Sequence, residues 1–177
     1  MTTAATSHPW HADMVRLRAR TQKPGLVDPA FARTPSGLAF LQQIVRGEIV
    51  DPPIAHTLDF FLLEAESGRA VFQGEPGFAH YNPIATVHGG WHGTLLDSAM
   101  ACAAQTLCEP GRAYTTLEYK IHCVRPLTEK TGPVRAEGKV VASGRRMATA
   151  EGRLFDADGK LYSHGTTTCM FLDPATP

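Results

Sequence analysis

The sequence predicts an α+β fold in which an antiparallel sheet wraps around one central helix, preceded by an N-terminal helical extension. Three observations carry this. From Arg112 to Leu172 four extended runs, about 113–125, 133–142, 146–156 and 160–172, are separated by turn signals at Thr131-Gly132, Ser143-Gly144 and Asp158-Gly159. Upstream of them, Trp91 to Cys108 is one long run rich in small and apolar residues, closed by Pro110-Gly111. Before that helix, two further extended runs, His56–Ala65 and Arg69–Gly74, meet at Ser67-Gly68 as a hairpin. Two strands, a helix and four strands form an α+β pattern rather than a doubly wound one.

Taken in order, the first fifty residues read as helices. Met14–Arg20 is a short basic amphipathic stretch that stops before Pro24-Gly25, and Pro35–Gly47 sets Leu38, Leu41, Ile44 and Val45 on one face with Gly47 as its stop. Residues 1–50 are thus an extension packed on the main domain or on a neighbouring subunit, with Arg16, Arg18 and Arg20 as a solvated face. Residues 51–177 form the main domain, and Asp51-Pro52-Pro53 marks the change of pattern. In the first strand, Phe60–Leu63 is core or dimer packing, with acyl-chain contact as the lesser alternative. Ala99, Ala101, Ala103 and Ala104 predict a central helix buried on most sides, and Leu117, Tyr119, Ile121 and Cys123 alternate with Thr116, Glu118, Lys120 and His122 as in a half-buried strand.

Composition narrows the function. A chain of 177 residues with 17 Lys+Arg against 17 Asp+Glu is one globular domain with no basic field for nucleic acid and no polybasic cluster for a membrane. No run of about 18 apolar residues occurs, and the opening residues lack a basic segment followed by an apolar one, so the expected location is cytoplasmic. Cys102, Cys108, Cys123 and Cys169 show no C-x-x-C spacing and are expected as buried free thiols. The G-x-x-x-x-G-K, G-x-G-x-x-G and G-x-S-x-G motifs are missing, which removes the simplest nucleotide and hydrolase readings.

The chemistry concentrates between Asn82 and Asp97. His88-Gly89-Gly90 lies at a helix mouth, where unpaired N–H groups and the positive end of the helix dipole suit a developing oxyanion. Asp97 lies among Leu95, Leu96 and Ala99, where a carboxylate is expensive unless paired or put to use. Gly90 and Asp97 are seven residues apart, so their backbones lie roughly 10 Å apart along the helix, too far to serve one carbonyl directly. A two-fold homodimer would bring the Gly90 amide of one chain to Asp97 of the other. His88 and His92, at i and i+4, could hold a metal with His80 or Asp97. Without H-E-x-x-H or a cysteine pair, no metal is expected, and His88 reads as a residue that fixes the loop. Ser98 has no base placed for it, and Asn82 before Pro83 can also simply start a turn.

The run N-x(5)-H-G-G-x(6)-D, followed by Thr115-Thr116 and by Arg125-Pro126, resembles the PaaI-like branch of the hotdog-fold acyl-CoA thioesterases over about residues 54–172. The resemblance implies hydrolysis of an acyl- or aryl-CoA thioester by carboxylate-assisted attack of water, with no metal or redox cofactor, in a homodimer or dimer of dimers. Asn82 matches a residue that orients the thioester carbonyl, and His88, Gly89 and Gly90 match the helix mouth, with the Gly90 N–H on the oxyanion. Asp97 matches the catalytic carboxylate, acting from the partner subunit as base or nucleophile. Thr116 matches a hydroxyl beside it, preferred over Thr115 for its spacing to Arg125-Pro126 and for sharing the outward face with Glu118. Gly144 and Arg145 match a turn near the coenzyme A phosphates. Ala85 stands where relatives commonly carry glycine, and Trp91 and His92 are bulky or polar at positions that could narrow the acyl pocket. A non-catalytic acyl-CoA-binding module and a hotdog dehydratase or hydratase are the alternatives.

Overall fold

A computed structural model describes residues 8–20 and 23–173; residues 1–7 and 174–177, the outer ends of the extension and of the main segment, lie outside the described residues. Four helices come first: α1 (His11–Arg20), α2 (Pro29–Ala32), α3 (Gly37–Val45) and α4 (Pro53–Leu58). The hairpin β1 (Phe60–Glu66) and β2 (Arg69–Gly74) follows, then the central helix α5 (Gly89–Gln105). β3 (Ala113–Cys123), β4 (Val134–Ser143), β5 (Met147–Phe155) and β6 (Leu161–Leu172) complete one antiparallel six-stranded sheet in the order β1-β2-β4-β5-β6-β3. This is the sheet wrapped around a helix that the sequence predicts.

The helix sits close against the centre of the sheet. A Cβ on Gly138 of β4 would lie 2.3 Å from the carbonyl oxygen of Ala99, so only glycine permits that approach. Around it Leu95, Leu96, Ala99, Met100 and Ala103 of α5 are buried against Phe60, Leu62, Ala136 and Leu154. A second core lies on the other face of β1, where Phe61, Leu63 and Val71 pack with Met14 and Leu17 of α1 and with Ala55. Burial of side chains such as Met14 and Leu17 stabilises this attachment by roughly 1.5–3 kcal/mol each. β1 is therefore buried on both faces, which accounts for its unbroken apolar run.

The segment before β1 is fastened to the rest of the chain at several points. Gly37, at the start of α3, approaches the carbonyl of Gln105 so closely that a Cβ would lie 1.9 Å from the oxygen, and its N–H donates to Cys108 O at 2.9 Å. Arg20 forms a buried ion pair with Asp51 at 2.6 Å and also donates to Leu62 O on β1 at 2.7 Å. Gln42 donates to Ala65 O, so two carbonyls along β1 are capped by side chains of the N-terminal segment. The basic stretch of α1 is accordingly not a free solvated face: Arg20 is buried, and Arg18 pairs with Asp59 and Glu75.

Four further expectations change. His56, Thr57 and Leu58 are helical rather than extended, because Pro53 fits the first turn of α4 and Asp59 ends it in a left-handed conformation (φ 52°). Leu117 and Tyr119 are exposed rather than half-buried, because β3 is an edge strand and the N-terminal helices α1, α3 and α4 pack instead on β1, the other edge. A bulge at Leu117 places Thr116 opposite Cys169 but Glu118 opposite Thr168 and reverses the alternation, so Thr116 does not share the face of Glu118. Among the thiols, Cys108 and Cys169 are buried as expected, but Cys123, on the same edge strand, is exposed.

Candidate active site

The mouth of α5 is shaped by the loop from Asn82 to His88. The Asn82 carbonyl oxygen Oδ1 accepts from the N–H groups of Ile84 and Thr86 at 3.0 and 3.2 Å, and its Nδ2 donates to Thr86 Oγ1 at 2.9 Å. Asn82 thus builds a tight turn, which leaves one amide hydrogen for any other partner. The turn forces Ala85 to φ 62°, a left-handed conformation suited to glycine. His88 is the N-cap of α5, and its Nδ1 accepts from the Gly90 N–H at 2.8 Å. That bond satisfies the donor expected to face the oxyanion. The exposed N–H of Gly89, one residue earlier, has no hydrogen-bond partner among the described residues. Spacing alone does not separate the two glycines, since the distinction depends on which amide the His88 ring reaches.

Asp97 lies two turns along the same helix, half-buried. Its Oδ1 accepts from Thr116 Oγ1 at 3.0 Å. Burial raises the Asp97 carboxyl above its ordinary value, and the bond from Thr116 partly counters this. The bulge makes the contact possible. Thr116 faces α5 on one side of it, and on the other Tyr119 and Ile121 face α5 at Gly93. Asp97 and Thr116 border a groove of about 620 Å³ whose other walls include residues of the N-terminal segment, to which the sequence alone assigns no chemistry. No periodic signal marks such a contact, because it joins residues far apart in the chain.

Within one chain the two halves of the predicted site stay apart. Asn82 and Gly89 border a separate recess of about 280 Å³ with His92, Cys123 and Arg125, and Asp97 is not on its wall. Asp97 lies eight residues after Gly89 along the helix, roughly 12 Å of rise. Gly144 and Arg145 sit at the exposed β4–β5 turn and border neither space. Trp91 does not line the groove. It is a core residue whose indole N–H donates to Leu58 O at 2.9 Å. His92 is also buried, with Nδ1 2.5 Å from Ser163 Oγ, and burial lowers its pKa to about 4, so it is neutral at pH 7. Among the described residues, no group of three or more His, Cys, Asp or Glu side chains is placed to hold a metal ion.

Comparison with known proteins agrees with the fold and places the chain. A model of the thioesterase superfamily matches residues 85–163. A phenylacetic acid degradation-related protein from Ralstonia eutropha is 29% identical, with a TM-score of 0.66, over 73% of this chain and 98% of its own. A thioesterase family protein from Silicibacter pomeroyi is 26% identical, with a TM-score of 0.67, over 75% and 98%. A single-site mutant of the phenylacetic acid degradation protein PaaI from Thermus thermophilus is 31% identical, with a TM-score of 0.61, over 67% of this chain and 97% of its own. No curated protein matches the sequence. The sheet wrapped around α5, the motif from Asn82 to Asp97 and these relatives together establish that the chain belongs to the PaaI-like family of hotdog-fold thioesterases.

Proposed function

We propose that this protein hydrolyses the thioester of an acyl- or aryl-CoA by carboxylate-assisted attack of water, in a site assembled from two copies of the chain. The observation that carries this is Asp97: a half-buried carboxylate, raised in pKa by burial and held by Thr116, on the wall of a largely apolar groove. Ionised Asp97 takes a proton from water as the oxygen bonds to the thioester carbon. The carbonyl oxygen becomes an oxyanion that accepts from the free N–H of Gly89 at the positive end of α5. As the C–S bond breaks, protonated Asp97 returns the proton to the departing thiolate, leaving acid and free thiol. Gly89 replaces Gly90 in this role because the Gly90 N–H is already donated to His88. Asn82 and His88 shape the loop that presents Gly89, and Arg145 with its neighbour Arg146, exposed at the β4–β5 turn, offers guanidinium groups to the coenzyme A phosphates.

The separation of Gly89 from Asp97 supports a homodimer, and so does the edge strand β3. It runs for eleven residues with one side unpaired and carries exposed Leu117 and Tyr119. Pairing of two β3 edges would bury these side chains. Light scattering on the purified protein is expected to return an even number of chains; a monomer that turns over thioester would refute the shared site. The activity itself is tested by thiol release from aromatic and aliphatic acyl-CoAs, with wild type beside Asp97→Asn. Loss of about 10²–10⁴-fold in the variant is expected for removal of a general base. Acyl-CoA binding without turnover by wild type would favour the binding module, and hydration of an enoyl-CoA would favour the hydratase.

A further inference from the structure

The groove beside Asp97 is built largely by the N-terminal segment. Leu26, Val50 and Ile54 border it, together with Phe40 of α3 and with Ala101 and Cys102 of α5. The segment is anchored at two points. Gly37 locks the start of α3 onto the end of α5, and the buried Arg20–Asp51 pair holds the stretch that leads to Pro52. None of residues 25–55 lies within the family match, which begins at residue 85.

The groove carries two marks of its occupant. Leu26, Val50 and Ile54 are 87%, 38% and 46% exposed, yet all border this one groove, so an apolar guest would remove three aliphatic side chains from water. Its volume of about 620 Å³ falls within the range of small-molecule sites. The second mark is charge. Among the described residues no lysine, arginine or histidine borders the groove, whereas Asp97 and Asp51 do, the latter matched by Arg20. On its wall Cys102 stays a neutral thiol, its pKa pushed up to about 12 by burial, and burial also holds Tyr114 protonated. An acyl group ending in a carboxylate would find no cation on this lining.

We propose that residues 25–55 form one wall of an acyl chamber that selects an apolar, uncharged acyl group larger than acetyl, with the thioester carbonyl at Asp97 and the hydrocarbon along Leu26, Val50 and Ile54. This rests on the thioesterase reading above and adds its substrate class. The side chains that set acyl size then lie outside the part of the chain shared with the family model.

The test compares decanoyl-, acetyl- and succinyl-CoA in wild type, Ile54→Trp, which fills the chamber, and Leu26→Glu, which puts a charge on its lip. Both positions are exposed enough to accept the change without unfolding the chain. Wild type should prefer decanoyl- to acetyl- and succinyl-CoA by about tenfold or more in kcat/KM, and each variant should lower the decanoyl-to-acetyl ratio about tenfold. A ratio unchanged in both variants, or a preference for succinyl-CoA, overturns the proposal. Calorimetric binding of S-decyl- and S-ethyl-CoA thioethers, which cannot be hydrolysed, separates the two readings. If wild type cleaves no thioester, the hydrolase reading falls; the chamber then stands if S-decyl-CoA binds more tightly and the variants abolish that preference. It falls if the two thioethers bind alike.

Discussion

Thr116→Val removes one hydroxyl and keeps the shape of the side chain, so it isolates the bond to Asp97. That bond is 3.0 Å long and ends on a carboxylate, which puts it among charge-assisted hydrogen bonds of about 1.5–3 kcal/mol. Because Asp97 is only half-buried, the lower end applies, about 1.5 kcal/mol or roughly tenfold in rate. The direction follows from the two opposing influences on the carboxyl: burial raises its pKa and the Thr116 bond lowers it. Deleting the bond leaves burial unopposed. The acidic limb of kcat/KM should therefore move to higher pH in Thr116→Val, with the greatest loss below the limb and a smaller one on the plateau. Thr116→Ser, which restores the hydroxyl, should bring the limb back. The assay is thiol release from one acyl-CoA across the pH range, with thermal unfolding as a check on the fold. Superimposable pH profiles for wild type and Thr116→Val would refute the reasoning, because Thr116 would then have no hold on the ionisation that limits the reaction.

Three other outcomes are expected. Asp97→Asn should be more thermally stable than wild type at pH 7. A carboxyl whose pKa is raised by folding contributes stability at low pH that is lost as pH rises through the folded-state value, so the gap in Tm should close towards acid. Ala85→Gly should relieve the left-handed strain at φ 62° by about 1 kcal/mol and raise Tm by about 2–4 °C in differential scanning calorimetry. Asp51→Ala, which leaves the Arg20 guanidinium buried without its carboxylate, should lower the unfolding free energy by about 3–5 kcal/mol in urea titration. The double variant Arg20→Met with Asp51→Leu should recover most of that loss.

The architecture is legible in the sequence because its signals are local. The turn glycines and the small-residue run between Trp91 and Cys108 need no knowledge of distant contacts, and the last four strands start and stop within two residues of the predicted runs. The misreadings share one cause. Strict alternation puts Thr116 on the face of Glu118, yet a single extra residue at Leu117 turns it to the other face. His56 to Leu58 continue an apolar pattern into β1, but Pro53 and the left-handed Asp59 make them a helical turn. Arg20 looks like its neighbours on a basic helix and is buried only because Asp51, 31 residues away, meets it. In the candidate site, the sequence marks Asp97 and the helix mouth, but not which glycine N–H is free, since that depends on the orientation of the His88 ring. Nor can it show that residues 25–55 border the Asp97 groove, a contact made across the fold.

The two edges of the sheet are unlike. Along β1, Arg20 and Gln42 already occupy the carbonyls of Leu62 and Ala65, and along β3 the outer side has no neighbouring strand. A strand edge acts as a valence, and this chain has one where a bare sheet would have two. If two β3 edges pair as proposed, growth through the sheet stops after that single pairing, at about twelve strands, instead of running on as a ribbon of copies. The N-terminal segment that borders the Asp97 groove is thus also the segment that occupies the β1 edge.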